Sequence, residues 1–226
     1  STMTTKTAAT IKASISNTIY NYGVDNLQNF ANEFRYSPMV KKIDETETSI
    51  ESSLTTIKLK RSFTPTLATA LSYTLNYSNE LFEIAGAASV SSTQFSHLDD
   101  SGVLRTGCAL QDSNGVMQIF RTIGADRVTV ANNVGTVTYG TGKLALTSFA
   151  PVVITDGTAN VSITVTLASS DITPIRDQIL LIANSDIKLA MVDTAGTGTD
   201  TSVSSTTASG STTGGSAGSG GAGSSY

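Results

Sequence analysis

The single histidine, His97, sits in Ser96-His97-Leu98-Asp99-Asp100. An imidazole beside two carboxylates has the residue types for an acid–base pair or for a weak divalent-cation site. Either use needs further groups from elsewhere in the fold, and a polar loop accounts for the same five residues. The single cysteine, Cys108, becomes a nucleophile only if His97 approaches it in space. As a small apolar residue on a strand entering a hairpin it belongs in a core. Lys58, Lys60 and Arg61 are the one basic cluster; on a strand Lys58 and Lys60 share a face. They suit an acidic partner or a phosphate, and equally a solvated face or a guarded sheet edge. Glu45, Glu47 and Glu51 lie in a polar stretch with nothing to mark two of them as a hydrolase pair.

Two patterns near the C-terminus look like chemistry. Gly214-Gly215-Ser216-Ala217-Gly218 fits a nucleophile elbow, and Gly218-Ser219-Gly220-Gly221-Ala222-Gly223 fits a dinucleotide fingerprint. Both need a preceding strand and a following helix to aim the serine or the backbone amides. The sequence offers neither, because 30 of the 33 residues from Thr194 to Tyr226 are Ala, Gly, Ser or Thr. The exceptions are Asp200, Val203 and Tyr226.

The rest of the composition narrows the classes further. One histidine and one cysteine cannot build a zinc cluster, a histidine-based triad or an intramolecular disulfide. A net charge of -4, from 14 Lys plus Arg against 18 Asp plus Glu, argues against nucleic acid as a partner. No apolar run approaches the ~20 residues that span a bilayer. With 30 Ser and 35 Thr and only 14% charged residues, the chain reads as a structural or binding protein that is not an enzyme and uses no cofactor. The start Ser1-Thr2-Met3 reads as a processed or trimmed terminus.

The hydrophobic period then places the elements. Ile11, Ile15, Ile19 and Tyr22 recur at helical spacing, continued by Leu27, Phe30, Ala31 and Phe34. Gly23 interrupts this stripe, and Asp25 with Gln28 resembles a capping box restarting a second helix. Ser37-Pro38 signals a short helix through Ile43. Tyr20, Tyr22, Phe30, Phe34 and Tyr36 crowd this segment, either as the core stripe of an amphipathic helix or as a face shared with another subunit. From Leu54 the period becomes two. Ile57, Leu59, Arg61 and Phe63, then Leu71, Tyr73, Leu75 and Tyr77, read as two half-buried strands pairing with each other. Strands are further expected over 108–111, 116–121, 127–131, 136–139, 143–147, 161–167, 178–182 and 187–191, with Asn114-Gly115 as a hairpin turn. The expectation is an α+β chain: a helical segment over 10–52, an antiparallel meander or sandwich over 53–193 with a loop excursion at 85–105, and a flexible Ala/Gly/Ser/Thr-rich tail over 194–226. That tail is expected to run extended across neighbouring subunits, anchored by Val203 and Tyr226.

These residues carry a resemblance. Ile19-Tyr20-Asn21-Tyr22-Gly23-Val24-Asp25-Asn26-Leu27, then Phe30, Phe34, Arg35, Ser37, Ile43-Asp44, Ile50, Lys58-Leu59-Lys60-Arg61 and Phe63-Thr64-Pro65 resemble the C-terminal half of the baseplate wedge ring subunit of T-even-type contractile-tailed phages. Gly115 to Arg121, Asn133 to Val137, Leu146 to Pro151 and Asp171 to Ile179 extend it, and the pattern is similar to the broader baseplate J-like family. The resemblance implies a non-catalytic virion protein, assembled in the host cytoplasm. It also implies copies that join into the ring linking the wedges and that contact other wedge subunits. A surface adhesin or receptor-binding module of a tail fibre is the competing class, since its β-rich, Ser/Thr-rich composition is similar; the helical N-terminal region counts against it.

Overall fold

The computed structural model describes residues 6–30, 32–83, 87–174 and 178–192. Helix α1, Ala8–Leu27, begins at Thr7, whose hydroxyl accepts the Thr10 amide. Its buried stripe is Ile11, Ile15, Ile19, Tyr22, Gly23 and Leu27. The expected break at Gly23 does not occur, because the glycine faces a tight packing contact and the helix runs past it. The expected restart at Asp25 is absent too: the chain leaves the helix at Gln28, so Phe30 and Phe34 are not on a helical stripe. Helix α2, Tyr36–Asp44, buries Met39 and Ile43.

Ten strands follow, all antiparallel: β1 Lys58–Phe63, β2 Leu71–Asn76, β3 Val90–Ser92, β4 Phe95–Leu98, β5 Leu104–Ser113, β6 Val116–Ile123, β7 Asp126–Thr138, β8 Lys143–Phe149, β9 Val153–Ile154 and β10 Val161–Thr166. They form one sheet in the order β1-β10-β3-β5-β6-β7-β8-β2, with β4 paired to β5 and β9. The fold is therefore α+β, helices first and antiparallel sheet after.

Four strand expectations are corrected. β1 and β2 do not pair. β1 lies against β10 and β2 against β8, at opposite ends of the sheet path. The sheet curls until these ends meet through side chains: the Arg61 guanidinium donates to the Asn76 carbonyl, and the Phe63 and Tyr73 rings lie 4.9 Å apart. The result is nearly a barrel. The 85–105 stretch carries β3 and β4; its period was hidden by their short length and by a bulge between Phe95 and His97. The two strands expected around Asn132-Asn133 are one strand, β7, because a bulge absorbs the irregularity (Met117 opposes Gly135, whereas Ile119 opposes Ala131). Segments 178–182 and 187–191 are extended but join no ladder among the described residues.

The Asn114-Gly115 hairpin forms as its sequence requires, with φ of 47° and 81°. Gly142, at φ 64°, lets the turn before β8 press on Asn79, whose carbonyl oxygen stands 2.2 Å from where a Cβ would be. The barrel interior is Phe95, Cys108, Leu110, Met117, Ile119, Leu144, Leu146, Phe149, Val161, Ile163 and Val165, each at most 1% exposed. Tyr77 closes it from the end of β2, donating its hydroxyl to the Ile163 carbonyl at 2.9 Å. Burial pushes that phenol well above its ordinary range.

Candidate functional site: the helical face

The groups that looked chemical are occupied by the fold. His97 lies on β4, not in a polar loop, and stacks on Phe149 with ring centroids 6.5 Å apart and planes at 19°. Its Nδ1 is 2.5 Å from the Leu98 carbonyl, and burial holds its pKa below the ordinary value. Asp99 instead accepts from Arg105 at 2.7 Å and from the Ser101 and Val103 amides, which tie the turn into β5. The Cys108 thiol is buried, donates to the Arg105 carbonyl at 3.3 Å and is pushed upward by burial. A thiol raised in this way is a poor nucleophile at neutral pH. Among the described residues no three His, Cys, Asp or Glu gather as metal ligands would.

The basic cluster is likewise divided. Lys60 pairs with Asp186, Arg61 bridges to β2, and Lys58 stays exposed. Of the three glutamates, Glu45 pairs with Lys41 and Glu47 with Lys6. The two glycine-rich patterns, with Val203 and Tyr226, lie outside the described residues.

What remains is the aromatic segment. Tyr22 and Phe34 turn inward and meet edge to face, with centroids 6.0 Å apart at 81°. Tyr22 donates to the Arg35 carbonyl, and Lys42 sits 5.8 Å over its ring. Phe34 exchanges two backbone hydrogen bonds with Ile172, at 2.9 and 3.0 Å, although the two are far apart in sequence. Tyr36 is partly buried and donates to the Thr55 carbonyl. Arg35 pairs with Asp171 at 3.2 Å and with Glu33, and the Asp171 hydrogen bond is the main cause that raises its guanidinium pKa. Tyr20 and Phe30 point to solvent.

Other large apolar side chains are more exposed than Tyr20. Among the described residues the four most exposed large apolar side chains are Leu54 at 97%, Val192 at 85%, Leu181 at 71% and Phe30 at 68%. All four lie outside the sheet strands. One contact ties the Leu181 segment to the helices: Ile182 presses on α1 at Gly23, where an added Cβ would stand 3.0 Å from the Ile182 Cβ. The sequence did hold a signal for Leu181, the unbroken run Ile179-Leu180-Leu181-Ile182, which suits a strand covered on both faces.

Residues 1–62 match the family of the baseplate structural protein gp6, C-terminal domain III. This gp6-like segment takes in α1, α2 and most of β1, and so holds both Phe30 and Leu54. It bears out the resemblance to a baseplate wedge subunit and supports a structural role in the baseplate of a phage tail. No curated protein matches the chain.

Proposed function

We propose that this chain is a structural subunit of a phage tail baseplate whose copies associate with one another in the ring that joins the wedges, and which also contacts other wedge subunits. Its site is the helical face, with Tyr20, Phe30 and Leu54 as contact residues and Tyr22, Phe34 and Tyr36 beneath them as the frame. One observation carries this reading. Two of the four most exposed apolar side chains, Phe30 and Leu54, lie in the gp6-like segment, and a third, Leu181, adjoins Ile182, which presses on α1, while the sheet interior is closed. Large apolar side chains left in water beside a rigid frame mark a surface that another protein covers. Aromatic anchors of this kind dominate interface energies.

The low charge and the net acidity suit protein partners rather than nucleic acid, and among the described residues no helix is long and apolar enough to cross a membrane. Val203 and Tyr226 extend the same reading to the tail, as anchors on a neighbouring subunit. The test is sedentary in design: analytical ultracentrifugation of the purified chain, alone and with the other tail proteins. Concentration-dependent association that Phe30→Asp and Leu54→Asp weaken supports the reading. A chain that stays monomeric with all of them, or that binds host cells by itself as an adhesin would, overturns it.

A further inference from the structure

The segment 178–182 is built like a strand but has no ladder partner among the described residues. Its side chains alternate, Leu180 and Ile182 packing inward while Ile179 and Leu181 face out, so the backbone has the two-residue period of an extended strand. Its amides and carbonyls make no backbone hydrogen bond to any other described residue. Strand backbone left this way is a template for pairing with another extended chain. Both faces are apolar, as in strands covered on two sides.

The two ends of the sheet differ, because β1 and β2 each have one ladder partner and lean on each other through Arg61 and through Phe63 and Tyr73. The segment is held at a fixed place: Ile182 seats on Gly23 of α1, and Lys60 of β1 pairs with Asp186 just beyond it. Tyr20 and Val24, three residues before and one residue after Gly23 on the helix, are also partly in solvent.

We propose that 178–182 pairs antiparallel with the same segment of a second copy, about a two-fold axis. The inference rests on the self-association proposed above and names the element that performs it. The occupant follows from three properties. Unpaired backbone needs an extended chain to satisfy it, and a second copy of the segment is one. Gln178 to Ala183 holds no charge, so self-pairing opposes no like charges. A two-fold axis sets the same apolar positions opposite each other, which is what an isologous contact requires. Leu181 and Ile179 of the two copies then pack side by side on one face of the new ladder.

Hydrogen exchange of the full chain at low and high concentration, with sedimentation in parallel, tests this. The expected result is at least a roughly tenfold slowing of the amides of 179–182 in the dimer. Leu181→Pro, which removes an amide from the free backbone, should abolish the dimer while the melting curve of the monomer is kept. Leu181→Ser should weaken it less, because its amide remains. A dimer whose 179–182 amides exchange as fast as in the monomer overturns the pairing and leaves the ring reading intact. A chain that never self-associates overturns both. Protection of 179–182 that appears only when other tail proteins are added also overturns self-pairing.

Discussion

The carboxylate of Asp171 accepts the backbone amide of Tyr36 at 2.8 Å and so caps helix α2 from the far end of the chain. Arg35, the residue at the cap position, supplies no side-chain cap of its own. The hydrogen bond from Tyr36 is the main cause that holds the Asp171 pKa below its ordinary value, with Arg35 adding to it. A folded-state pKa below the unfolded one adds stability at neutral pH that is lost as pH falls through the folded value. Asp171→Asn should therefore lower the melting temperature at pH 7 and have little effect in strong acid. Equal losses at both pH values would contradict the capping role.

Phe34 and Phe30 should respond in opposite ways to truncation. Phe34 is buried against Tyr22, so Phe34→Ala is expected to cost ~3–5 kcal/mol in urea denaturation. Phe30 is largely in solvent, so Phe30→Ala should change stability by no more than ~0.5 kcal/mol and show its effect in association instead.

The docking of 178–192 on α1 depends on Gly23. Leucine is a better helix former than glycine, by somewhat less than the ~0.8–1.0 kcal/mol that separates glycine from alanine, so Gly23→Leu favours the helix itself. Its side chain would meet Ile182, however, where even a Cβ stands within 3.0–3.3 Å of three Ile182 atoms. The expected outcome is release of the segment, read as faster tryptic cleavage after Lys188 with helix content unchanged. Cleavage at the wild-type rate would contradict the contact.

His97 gives a second pH dependence, of the same sign. Burial lowers its folded-state pKa below 6.5, so the unfolded chain takes up the proton first. Its contribution is full above about pH 6.5 and declines as pH falls toward the folded value. His97→Gln should flatten the stability profile between about pH 7.5 and about pH 5. An unchanged slope would place the imidazole outside the aromatic cluster.

Much of this was legible in residue order, for local reasons. Ile11, Ile15, Ile19 and Tyr22 repeat at 3.6, and Val161 to Leu167 alternate cleanly, because each stripe faces one core. What was not legible depends on distant partners. The pairing of β1 with β10 is set by sheet closure, and the cap on α2 comes from Asp171. The exposure of Phe30 follows from where α1 stops. Segment 187–191 alternates like a strand because Ile187, Leu189 and Met191 pack inward along an extended chain, although no ladder accompanies it. The aromatic residues were visible as a group, but their division into frame and surface required the fold.

Cryo-electron microscopy of purified virions decides whether this chain is a baseplate subunit. Density for this curled ten-stranded sheet is expected within the baseplate, with the helical face against neighbouring subunits. A particle whose baseplate lacks the chain, or one that carries it only on the fibres, would contradict the account.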